Sequence, residues 1–139
     1  MGLTHHWERP TEFPAEAFAK ASADAKIVMK KSGVLLAGFE GGGEPVFTSD
    51  AIMFNGKAPC EPFEIHAVEF DDRGRERFFG HCKTEHRPYD LVVKAVLIVL
   101  RHHLGDAITV TSDEGVEEWE LARQLCQQAL GYGEDFLLG

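Results

Sequence analysis

Basic residues are scarce in this chain. It holds 14 Lys and Arg against 23 Asp and Glu, a formal net charge of −9 over 139 residues. General nucleic-acid binding draws its affinity from neutralised phosphates, so this deficit argues against it. Cysteine is scarce too, and the three present (Cys60, Cys82 and Cys126) form no C-x-x-C pair. A disulfide framework and a zinc ribbon are thereby disfavoured, and a reduced, cytoplasmic protein is expected. No H-E-x-x-H, P-loop or G-x-G-x-x-G occurs, and the run Gly41-Gly42-Gly43 leads into Pro45 and a strand rather than into a helix. No basic-then-apolar leader opens the chain, and the apolar stretch 91–100 is too short to span a bilayer and carries Lys94.

What is there reads as one globular domain, 1–139, with chain enough for a core. The apolar fraction of 44% and charged fraction of 27% are ordinary for such a domain. Helical spacing of Phe18, Ala21, Ala25 and Val28, with Lys30, Lys31 and Gly33 behind them, predicts a helix over 15–31. Short β-type segments follow, punctuated by Asn55-Gly56 and Asp71-Asp72-Arg73-Gly74. Alternation over 63–67 predicts a strand with a bulge near Ala67, and 77–83 predicts its hairpin partner. A helix from Pro88 to about His103, a strand over 107–111 and a helix to about Leu130, capped by Ser112 or Asp113, complete the order. The expected fold is α+β: an N-terminal helix, a mostly antiparallel β meander, then α-β-α, with helices on one face of the sheet.

Chemistry-bearing residues concentrate in 77–90, which holds His81, Cys82, Lys83, Thr84, His86, Arg87 and Tyr89. Neighbours on a strand face opposite sides, so His81 and Cys82 cannot share one ion, and neither a metal site nor a cofactor is expected. Pairing Phe70 with Arg77 would set His66 opposite His81 and Glu64 opposite Lys83. That makes His66, His81 and Lys83 the catalytic candidates. Lys83, Thr84, His86, Arg87 and Tyr89 flank a helix start, where free N–H groups favour an anion. Charge is segregated: residues 106–139 hold eight acids against one base, Arg123. Glu114, Glu117, Glu118 and Glu120 are the candidates for meeting a basic protein surface.

The strings Gly43-Glu44-Pro45, Phe54-Asn55-Gly56, Cys82-Lys83-Thr84 and Pro88-Tyr89-Asp90 resemble a pattern in small uncharacterised proteins of bacteria and their bacteriophages. The resemblance covers most of the chain and implies a compact, stand-alone cytosolic domain, with no activity, cofactor or catalytic residue attached. The leading expectation is a non-enzymatic binding protein that recognises a protein partner or a small anionic ligand, alone or as a homodimer, with no membrane association. The competing expectation is a small hydrolase or transferase acting on a phosphate- or carboxylate-bearing substrate.

Overall fold

The computed structural model describes residues 2–139. The chain runs through β1 (Thr4–Pro10), α1 (Ala15–Ser32), β2 (Leu36–Ala37), β3 (Val46–Phe47), β4 (Ala51–Gly56), β5 (Phe63–His66) and β6 (Arg77–Lys83). It continues through α2 (Asp90–Leu104), β7 (Thr109–Ser112), a 3-10 turn (Val116–Trp119) and α3 (Glu120–Leu130). The class is α+β, as the sequence predicts. The strands, antiparallel throughout, form two sheets rather than one meander.

The first sheet has the order β6-β1-β7, so the N-terminal strand is its centre. β1 places His5, Trp7 and Arg9 inward with period two. The Arg9 guanidinium is buried and ties this sheet to the second. It bonds Glu69 and the His66 carbonyl, both at 2.7 Å. The second sheet is built on β4, which pairs with β2, β3 and β5. α2 is buried almost all round, with eleven of its fifteen residues inaccessible, as befits a helix inside a core. α1 and α3 pack against it and against each other. No helix among the described residues is long and apolar enough to cross a membrane.

Three local expectations are corrected. Asn55-Gly56 is not a turn but the end of β4, paired with Leu36 and Ala37. Glycine is needed there because a Cβ would lie 2.8 Å from the Tyr89 ring. The chain beyond His66 does not continue as a strand; it bends at Ala67 and makes an antiparallel bridge from Val68 to Glu12, with Val68 47% and Phe70 80% exposed. Nor do Ser112 and Asp113 cap α3, which starts from the 3-10 turn without a side-chain cap.

Candidate functional site

β5 pairs with β4, and β6 pairs with β1, so the hairpin that would join His66 to His81 does not exist. His66 lies opposite Ala51 and contacts Glu64 at 2.6 Å. His81 lies opposite His6 and sits 3.8 Å from Glu61. Lys83 is half-buried and pairs with Glu85 at 3.2 Å. These three residues do not form one group.

The chemistry is instead gathered where β1, β7 and the start of α2 meet. Glu85 and His86 both adopt left-handed backbone, φ 51 and 61, which costs non-glycine residues of order 1 kcal/mol each. This turn sends Thr84 inward and leaves His86 and Arg87 exposed. Thr84 Oγ1 donates to Asp90 Oδ1 at 2.6 Å, and His5 Nε2 meets the same oxygen at 2.6 Å. Burial alone would raise the Asp90 pKa. The bonds from His5 and Thr84, with the charges of His5 and Lys94, outweigh it and hold the carboxyl below its usual value. Asp90 Oδ1 accepts from a proton on His5 Nε2, and in the tautomer with Nδ1 bare that nitrogen accepts from the Ser112 hydroxyl at 2.8 Å.

Lys94 lies one helical turn after Asp90 and completes the cluster. Its ammonium is 3.1 Å from Asp90 Oδ2, 2.6 Å from Glu114 Oε1 and 3.0 Å from the Glu118 carbonyl. The contact with Glu114 is one of charge without hydrogen-bond geometry, so Oε1, closed off from solvent, lacks a hydrogen-bond partner. Trp119 roofs the group, edge-on to His5 with ring centroids 5.1 Å apart. Outside Asp90 and Lys94 a cleft of about 220 Å³ opens, walled by His86, Arg87, Leu91, Glu118 and Leu121.

Of the residues expected around an anion, Thr84 belongs to the buried network. Tyr89 is a packing residue, 1% exposed, with its hydroxyl on the Glu61 carbonyl. Lys83 points to Glu85, which leaves His86 and Arg87 at the cleft. The four glutamates divide as well: Glu114 is drawn onto Lys94, whereas Glu117, Glu118 and Glu120 are exposed and form no ion pair among the described residues. Sequence reading missed His5, Asp90, Lys94 and Ser112. A lysine inside an apolar run, four residues after an aspartate, was the available signal, because a buried ammonium demands buried partners.

A second polar cluster sits at the other end of α2. Asp24 Oδ2 accepts from Tyr132 at 2.7 Å and contacts His103 Nε2 at 2.8 Å, and His102 stacks on Tyr132 at 3.6 Å. Burial, then the charge of His103, lowers the His102 pKa against the opposing pull of Asp24 and Asp135. The Cys82 and Cys126 thiols are each pushed up to about 12 by burial, so neither is a nucleophile. No family model, no curated protein and no solved structure matches this chain.

Proposed function

We propose that this chain is a binding protein that takes a basic protein surface against the cleft between α2 and α3. One observation carries the reading: Leu121, 73% exposed, stands among Glu117, Glu118 and Glu120, which form no ion pair among the described residues. An exposed apolar anchor flanked by acids on its own side of the cleft, with Arg87 on the facing wall, suits an interface in which the anchor supplies affinity and the charged rim orientation and rate. The buried network beneath ties β1 and β7 to the start of α2. Affinity capture from cell extract with wild type, with Leu121→Asp and with the triple change Glu117→Gln, Glu118→Gln and Glu120→Gln tests it. A specific basic partner is expected with wild type alone, released by salt; a partner retained by both variants contradicts the surface.

A second reading is a small hydrolase, favoured by the order Ser112–His5–Asp90, in which a base lies between a hydroxyl and an orienting carboxylate. Against it, the Glu114 N–H already donates to Ser112 Oγ, and Ser112 does not line the cleft. Covalent labelling by a fluorophosphonate, lost in Ser112→Ala and in His5→Gln, would establish this reading. An unlabelled protein would remove it.

A further inference from the structure

Three ligand-type side chains converge from three separate stretches of chain: His5 from β1, Asp90 from the first residue of α2 and Glu114 from the turn after β7. The ligand atoms of His5, Asp90 and Glu114 all lie within 4.8 Å of one another. His86 Nδ1 is 4.0 Å from Glu114 Oε2, on the outer side. We propose that this cluster binds a divalent first-row transition ion, zinc or manganese, and that the Lys94 ammonium holds the cation position when the ion is absent.

The charges support an exchange. One ammonium faces two carboxylates, and a divalent ion in its place would match both of their charges. Buried Glu114 Oε1 makes no hydrogen bond among the described residues and is neutralised by the Lys94 ammonium at 2.6 Å, the position an ion would take over. Supporting partners are already placed, since Ser112 holds His5 Nδ1 and Thr84 holds Asp90 Oδ1. Lys94 has somewhere to go, because it lines the cleft and can turn into it still protonated. For His5 Nε2 to ligate, its proton passes to Nδ1, and the Ser112 hydroxyl turns from donor to acceptor. One or two imidazoles with two carboxylates suit zinc, manganese or iron(II), and unfilled positions face the cleft.

The sequence reading expects no metal because it weighs only local spacings around His81, Cys82 and His86. Here the ligands span His5 to Glu114 and are assembled by the fold. This inference stands apart from the partner reading, because no partner enters its test.

Zinc binding to the whole chain is measured by calorimetry, with cobalt as a coloured stand-in. Wild type is expected to take one equivalent and to show the visible bands of protein-bound cobalt. Glu114→Gln, which preserves shape, is expected to weaken binding by tenfold or more, on the order of what even a lost supporting partner costs. Lys94→Met removes the competing ammonium. It is expected to bind zinc more tightly than wild type and to gain more thermal stability from it, refolding on zinc if it is unfolded without it. Absence of stoichiometric binding in both wild type and Lys94→Met overturns the proposal. So does binding that survives Glu114→Gln, which would assign the ion to the exposed His6–His81 pair, whose rings are 6.4 Å apart.

Discussion

The two ends of α2 carry polar clusters built on opposite plans. At its start, His5, Asp90 and Lys94 are all but inaccessible, and the partners come from strands and turns far apart in sequence. At its end, Asp24, His103 and Tyr132 are partly exposed and link α1 and α2 to the segment that follows α3. Backbone strain follows the same division. The start is approached through left-handed Glu85 and His86, whereas the left-handed positions near the end, Gly131 and Gly133, are glycines. Water can solvate the second cluster if it is disturbed. The first meets water only where Asp90 and Lys94 line the cleft, so charge there is matched chiefly by charge. The costly, strained and buried group beside a cleft is the ground on which a metal site is proposed there, and the half-exposed clamp offers no such ground.

The largest expected effect is on stability. Asp90→Ala takes the acceptor from buried His5 and Thr84 and one of two carboxylates from Lys94, and is expected to cost about 3–5 kcal/mol, the usual result of breaking a buried pair from one side. Asp24→Ala is expected to cost about 1 kcal/mol, because its partners regain water. Urea denaturation of both variants checks this, and equal losses would erase the distinction between the two ends.

Acid titration separates them next. Asp90 is depressed below 3.8 in the folded protein, so its contribution is present above that value and is lost as pH falls through the folded pKa. His102 is depressed below 6.5, so the folded state takes its proton less readily than the unfolded chain, and stability falls as pH drops below about 6.5. Asp90→Asn should flatten the more acidic limb alone and His102→Gln the milder one alone, each followed by melting temperature against pH. One variant flattening both limbs would mean that the clusters are coupled.

Smaller still is the relief of strain. His86→Gly is expected to stabilise the chain by about 1 kcal/mol and to weaken zinc binding, since the ring at the rim is lost. Stabilisation with unchanged zinc affinity would remove His86 from the site. Smallest is thiol chemistry: Cys82 and Cys126, one near each cluster, should both resist iodoacetamide at about pH 8 while half-buried Cys60 reacts. Labelling of Cys126 before Cys82 on mild heating would show the helix end opening first.

Much of the helical half was legible because α1 and α2 carry their signals locally, in apolar spacing and in terminal glycines. β1 was not, and the reason lies in its inward residues. His5 and Arg9 alternate with Trp7 as any buried strand would, but two of the three are polar, so hydropathy shows no period. The misplaced hairpin has a related cause. β5 and β6 are the natural local partners, yet β6 pairs with a strand some seventy residues earlier, a choice that only the complete core makes. The site was hidden for the same reason: its nearest sequence clue, Asp90 with Lys94, reads as an ordinary surface pair until the helix around it is known to be buried.

Anomalous diffraction from crystals grown with zinc tests the central claim most directly. A peak between His5, Asp90 and Glu114, with the Lys94 side chain turned out into the cleft, is the predicted result. Lys94 still bridging Asp90 and Glu114, with zinc elsewhere or nowhere, would contradict it.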